Sequence, residues 1–254
     1  IQTNCSHREW IYRQSFILGI HPLGLEIQKI LSLVDSLAKR EPAPDILLVG
    51  EGEAAWIALF AAAIDTRIRS VMLSGHFGPR EKLAEEPLDH NLFGMLKTFG
   101  DAELAAMIAP RSLIIRHSAP LLHDPEPPQK NVRQVAAPGH IAVPSLEQFR
   151  SEAARIETLT KTVYPSWRPT VIETATQPVP LELLSRTLRS SSQIPTLQPD
   201  PSPAVIADRQ RATVRDMEDH CQKQIIVTER NRTMATRQQY PSDNLERCLL
   251  YTSD

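Results

Sequence analysis

One stretch, residues 45–63, constrains the fold more than any other part of the sequence. An unbroken run of four apolar residues, 46–49, leads through Gly50 and Gly52 into the apolar segment 54–63. A short apolar run bounded by proline and glycine is typical of a strand that is buried on both faces of a sheet. The alanine-rich segment that follows favours a helix packed against this strand. A strand, a glycine turn and an apolar helix form either a phosphate cradle or a nucleophile elbow.

The periodicity of apolar residues predicts that helices and strands alternate along the chain. Spacings of three and four predict helices over 7–19, 23–39, 54–63, 101–108, 145–161, 180–188 and 204–236. Short apolar runs predict strands over 45–50, 70–74, 111–116 and 170–173. Alternation of this kind indicates an α/β fold with a parallel sheet.

Composition excludes several classes of partner. The 254 residues accommodate one large α/β domain or two small ones, and the hydrophobic share of 41% can supply a core. A net charge of -2 gives no reason to expect nucleic acid as a partner. No apolar run approaches the roughly 20 residues that a membrane span needs. The cysteines at 5, 221 and 248 have neither metal-ligand spacing nor the density of a disulfide framework.

Shifts in composition divide the chain into four parts. Residues 1–188 carry the α/β pattern, 189–203 form a Pro/Ser-rich linker, and 204–247 form a charged helical segment. The last residues, 248–254, look like the translation of a transposon-end adapter from a sequencing library, and we expect them to form no part of the fold. Because Ile1 already lies in a helical pattern, we expect 1–188 to be part of a larger domain. A further domain of the same full-length chain is the partner that this organisation suggests.

A nucleotide-binding site is one interpretation of the glycine turn. Gly50, Gly52 and Ala55 fit the dinucleotide pattern G-x-G-x-x-A between a strand and a helix. However, Glu51 and Glu53 place carboxylates where a pyrophosphate would bind, and the next strand ends without an acidic residue for a ribose hydroxyl. A nucleotide-binding module therefore stays an alternative, and we expect no cofactor.

The downstream sequence favours the nucleophile elbow. Segment 101–115, with the triplet Ala109-Pro110-Arg111, resembles the segment before the penultimate strand in dienelactone-hydrolase-like and acetyl-xylan-esterase-like α/β-hydrolases. Segment 63–75 looks like the preceding turn and strand of these families. The resemblance covers about 45–188. It implies a three-layer α/β-hydrolase-like parallel sheet, of which this chain carries the C-terminal half, with a C-terminal helical extension. It also implies a relation to carboxylic-ester hydrolases.

The catalytic positions of the family are not filled. The nucleophile position falls on Gly52, within the elbow Gly50-Glu51-Gly52-Glu53-Ala54. The acid position falls near His117 and Ser118, with Asp124 the first carboxylate beyond them, and segment 174–180, the histidine position, contains no histidine. A hydrolytic triad needs nucleophile, base and orienting acid together. We therefore expect a catalytically inactive protein.

An active esterase with a displaced nucleophile is the alternative among enzymes. Glu53, Asp124 and His140 are its weak candidates, because a carboxylate can act as a nucleophile in principle. A helix N-terminus favours anions, so a stabilising role for Glu53 is the simpler interpretation. His140 follows many prolines, and we expect it to be exposed.

A metal site is a further possibility that the sequence does not favour. His76 and His90 flank an acidic segment, but their spacing matches no usual ligand pattern, so we expect no metal. Arg111 is expected to pack and pair at the beginning of the third strand instead of binding a substrate.

Overall fold

The structure, a computed structural model, describes residues 5–118, 139–141, 143–173 and 202–239. The predicted helix 180–188 and the candidate Asp124 lie outside these ranges.

The observed elements follow the predicted order, with ends that differ by only a few residues. The helices are α1 (His7–Ile17), α2 (Pro22–Ala38), α3 (Glu53–Ile64), α4 (Asp101–Ala106), α5 (Leu146–Thr160) and α6 (Pro203–Gln239). The strands are β1 (Ile46–Glu51), β2 (Ile68–Ser74), β3 (Ser112–Arg116) and β4 (Thr170–Ile172). Short 3₁₀ helices, Leu83–Glu85, Leu88–His90 and Met95–Lys97, lie between β2 and α4.

The strands form a parallel sheet in the order β1-β2-β3-β4, which confirms the general α/β class. Helix α3 packs on β1 and β2, and α4 packs against α5. Leu59, Met72, Ile114 and Phe149 are fully buried. Because all four strands run the same way, their carboxyl ends lie along one edge of the sheet. Ligand sites of open α/β folds lie at that edge.

The prediction that strand 45–50 is buried on both faces was wrong. Val49 is 52% exposed, and Ile46, Leu47 and Leu48 are only partly buried. Among the described residues β1 pairs only with β2, so it lies at the edge of the sheet and lacks a neighbour on one side. An unbroken apolar run is compatible with an edge strand as well as with a central strand, so the sequence pattern does not distinguish these two positions in a sheet.

Local side-chain chemistry explains where several helices begin. His21 lies before α2, where its Nδ1 accepts a hydrogen bond of 3.1 Å from Leu23 N–H, and Pro22 occupies the first turn. Ser145 and Gln148 form a reciprocal capping box at the start of α5.

The chain divides into two compact units. The first contains residues 1–10 and 21–198 and carries the sheet. The second contains residues 11–20 and 199–254. Within the second, the Ser15 hydroxyl and the buried Cys221 thiol lie 3.4 Å apart. In the described ranges, no single helix combines the length and apolar character that crossing a membrane requires.

Candidate functional site

The connection between β1 and α3, here called the elbow (residues 50–54), is a sharp strand-to-helix turn. Gly52 precedes α3 with φ 60° and ψ −131°, a combination that glycine adopts readily and other residues adopt only under strain. A Cβ atom on Gly50 would lie 2.4 Å from the backbone oxygen of Ala54, so this position also requires glycine. Gly52 N–H donates to Ser74 O at 2.8 Å, which fixes the elbow to the end of β2.

The two acidic residues of the elbow lie in different surroundings. Glu51 is exposed, whereas Glu53 is partly buried and accepts a hydrogen bond of 2.6 Å from His90 Nε2. This hydrogen bond lowers the pKa of the Glu53 carboxyl, although burial acts in the opposite direction. The sequence interpretation of Glu53 as a stabilising group agrees with this contact.

His90 lies between two carboxylates. Its side chain is only 3% exposed, and its Nδ1 lies 2.7 Å from Glu86 Oε2 while its Nε2 contacts Glu53. Burial of the ring lowers its pKa, but the hydrogen bonds to Glu53 and Glu86 outweigh this effect and raise the pKa of His90 to about 9. At neutral pH the ring is therefore a charged imidazolium that joins the start of α3 to the segment after β2.

Arg80 is buried beside a second histidine. Its guanidinium donates to both carboxylate oxygens of Asp101, at 3.0 and 2.9 Å, and its Nη1 lies 3.0 Å from His76 Nε2. Burial, together with the charge of Arg80, lowers the pKa of His76 well below its ordinary value. His76 is therefore neutral and accepts the hydrogen bond from Arg80.

Trp56 of α3 forms one wall of the same region. Its ring centroid lies 6.0 Å from that of His76 and 5.7 Å from that of His90, and the Arg80 guanidinium lies 5.0 Å from the ring. Within the described part of the chain, the buried indole Nε1 has no hydrogen-bond partner. The polar groups converging here are called the buried ion cluster: Glu53, His76, Arg80, Glu86, His90 and Asp101.

Three members of the buried ion cluster bring metal-binding atoms together. One ligand atom from each of His76, Glu86 and His90 lies within 4.8 Å of the others. The sequence analysis identified both histidines and the acidic segment that contains Glu86, but the spacing of these residues did not favour a metal site. The spacing of four between Glu86 and His90 was the available signal, but it falls in irregular 3₁₀ structure where helical periodicity does not apply.

The other predicted site residues lie elsewhere. His117 follows β3, and its Nε2 lies 3.0 Å from Pro144 O. The buried Ser118 hydroxyl lies 2.9 Å from that of Ser74. His140 is exposed, as predicted, and its backbone N–H donates to Glu85 O at 2.9 Å.

Arg111 has the structural role that was predicted. Its guanidinium donates to the backbone oxygens of Ala62, Asp65 and Ile68, at 2.7, 3.1 and 2.8 Å. It therefore satisfies carbonyl groups at the end of α3 and at the turn into β2.

Comparison of the chain with protein-family models, with curated proteins and with solved structures gives no significant match. Any assignment of function therefore depends on the geometry and chemistry of the residues described above.

Proposed function

We propose that this protein is a non-catalytic representative of the α/β-hydrolase fold, related to carboxylic-ester hydrolases, in which the elbow is a structural turn. The observation that carries the proposal is the conformation of Gly52, with φ 60° and ψ −131° between a parallel strand and an apolar helix. In an active hydrolase of this fold, the same sharp turn holds the nucleophilic serine above the sheet. Here the residue at its apex has no side chain.

The surroundings of the elbow support the absence of catalysis. A general base needs a free ring nitrogen within reach of the nucleophile. Both ring nitrogens of His90 contact carboxylates, and the Nε2 of His76 accepts from Arg80. His117, near the predicted acid position, has its Nε2 at a backbone carbonyl. His90 therefore has no free ring nitrogen for a serine at 52, and His76 and His117 each use one ring nitrogen in another contact.

The backbone of the elbow also argues against a phosphate cradle. A cradle needs N–H groups that point toward the ligand. Gly52 N–H instead donates to Ser74 O, and Ala55 N–H donates to Gly52 O at 3.0 Å. The carboxylates of Glu51 and Glu53 add negative charge at the same turn.

The test is ester hydrolysis by the purified chain and by Gly52→Ser, using p-nitrophenyl esters of short acyl chains. We expect neither protein to exceed the background rate, because His90, which contacts the elbow, has both ring nitrogens engaged and cannot activate a serine at 52. Turnover by the unmodified chain that is lost in Glu53→Gln or in His140→Gln would contradict the proposal and would indicate an esterase with a displaced nucleophile. Glu51→Gln is the matched control for Glu53→Gln, because Glu51 is exposed and belongs to the same turn.

A further inference from the structure

We propose that His76, Glu86 and His90 form a binding site for a divalent transition-metal ion of the zinc class. Two imidazoles and one carboxylate are a common protein ligand set for zinc, with the fourth position left to water or a further group. This inference does not depend on the proposed function, because none of the three residues occupies a catalytic position of the hydrolase pattern.

The geometry is close to what a zinc ion requires. The ligand atoms of the three residues lie within 4.8 Å of one another, and His90 Nδ1 already lies 2.7 Å from Glu86 Oε2. Bonds of roughly 2.0–2.1 Å in a tetrahedral arrangement place ligand atoms about 3.4 Å apart. Shifts of about 1 Å, within the range of side-chain rotation, therefore suffice to surround an ion. The ion would take the place of the proton that His90 Nδ1 donates to Glu86, and this proton would be released to solvent.

A second observation, the position of Glu53, points to the same use of His90. Histidines that bind metals usually donate their other ring N–H to a carboxylate, which fixes the orientation of the ring. His90 Nε2 lies 2.6 Å from Glu53 Oε1, on the opposite side of the ring from Glu86. Glu53 would therefore be a positioning residue, and it would link the ion to the first turn of α3.

The charge of the surroundings favours a cation. Near the three ligands, five described carboxylates, those of Glu26, Glu53, Glu86, Asp89 and Asp101, are accompanied by three cations, the guanidinium groups of Arg8 and Arg80 and the imidazolium of His90. Buried charges need partners, and a divalent ion would reduce this excess of negative charge.

Binding has two identifiable costs, the loss of the His90 proton and the displacement of Arg80. The Arg80 Nη1 lies 3.0 Å from His76 Nε2 and 3.6 Å from Glu86 Oε1, so this cationic group must move away from the two ligands when an ion binds. The two hydrogen bonds from Arg80 to Asp101 do not involve His76 and can persist.

The ligand set also selects the ion, because imidazole suits zinc and its neighbours in the transition series, whereas magnesium and calcium prefer oxygen ligands alone.

The test is calorimetric titration of the full, chelator-treated chain with zinc chloride, with magnesium chloride as the comparison ion. We expect one zinc ion per chain with micromolar or tighter affinity and no saturable magnesium binding. His76→Gln and Glu86→Gln should abolish or severely weaken zinc binding. Glu53→Gln should weaken it on the order of 10–100-fold, as loss of an orienting carboxylate usually does. Glu51→Gln and His140→Gln, at exposed positions, are the matched controls and should bind zinc as the unmodified chain does.

Two further measurements keep the proposal testable if a ligand variant does not fold. Zinc should raise the melting temperature of the unmodified chain, because an ion that binds only the folded state stabilises it. The cobalt-substituted chain should show the visible absorption of a nitrogen- and oxygen-ligated tetrahedral site, without the charge-transfer band of a thiolate. Lack of zinc binding by the folded, unmodified chain would overturn the proposal. Binding that is unchanged in a folded His76→Gln or Glu86→Gln variant, or a thiolate band in the cobalt spectrum, would do the same.

Discussion

Replacing Gly50 by alanine should strongly destabilise the protein, because the elbow has no space for a methyl group. The new Cβ would lie 2.4 Å from the backbone oxygen of Ala54 and 2.5 Å from the Cα of Ala55. Both are backbone atoms of the first turn of α3, which cannot rotate away, so β1 and α3 must separate to make room. Overpacking of a core typically costs about 1–3 kcal/mol and occasionally more. A clash with backbone belongs at the upper end, so we expect a loss of about 3 kcal/mol in the free energy of unfolding.

Two other glycines separate the steric effect from backbone effects. Gly24 lies in α2, and no atom lies within 4 Å of the position that an added Cβ would occupy, so Gly24→Ala should stabilise the protein by roughly 0.5–1 kcal/mol. Gly94 also has open space but adopts φ 79°, so Gly94→Ala should cost about 1–2 kcal/mol from backbone strain alone.

The assay is urea unfolding of the unmodified chain and of the three glycine variants, monitored by tryptophan fluorescence and circular dichroism. The free energies of unfolding are compared with one common value for their dependence on urea concentration. The reasoning would be refuted if Gly50→Ala stayed within about 0.5 kcal/mol of the unmodified chain, as a surface substitution does. It would also be refuted if Gly24→Ala were as costly as Gly50→Ala.

Three further predictions concern α2, the elbow and the sheet edge. Burial lowers the pKa of His21, whose unprotonated Nδ1 caps α2, so the folded state binds fewer protons than the unfolded state. Stability should therefore fall as the pH drops below about 6.5, the ordinary pKa of histidine. His21→Asn should remove the part of this slope that His21 contributes in urea unfolding at a series of pH values, while His76, whose pKa burial also lowers, maintains the remainder. NAD and FAD should not bind, because Gly52 N–H is already used and Glu53 would face the phosphates; saturable calorimetric binding at micromolar affinity would show the reverse. Val49→Lys should reduce aggregation in size-exclusion chromatography, because a lysine protects an open sheet edge, whereas Val163→Lys, also exposed but outside the sheet, should not.

The order of helices and strands could be predicted from the sequence because each described element carries its own local signal. Helix α2 has apolar residues at helical spacing, and the histidine and proline at its beginning mark its start. The burial of β1 could not be predicted, since the apolar run 46–49 does not reveal how many neighbours the strand has. That property depends on long-range pairing, which places β1 at the edge of the described sheet.

Local sequence patterns also could not predict the buried ion cluster. Glu53 and His90 are 37 residues apart, and His76 and Asp101 approach each other through Arg80, across segments of 3₁₀ helix and turn. Such segments have no periodicity from which side-chain directions follow. The histidines and the acidic segment could be named as polar residues of interest, but their convergence requires the fold.

Labelling with a fluorophosphonate, which reacts with activated serines, is the sharpest test of whether the elbow is a purely structural turn. We expect that neither the unmodified chain nor Gly52→Ser is labelled, since Gly52 has no side chain and His90, which contacts the elbow, has both ring nitrogens engaged. An active serine hydrolase labelled under the same conditions is the positive control. Labelling of the unmodified chain at a single serine, located by mass spectrometry and accompanied by ester turnover, would contradict the account.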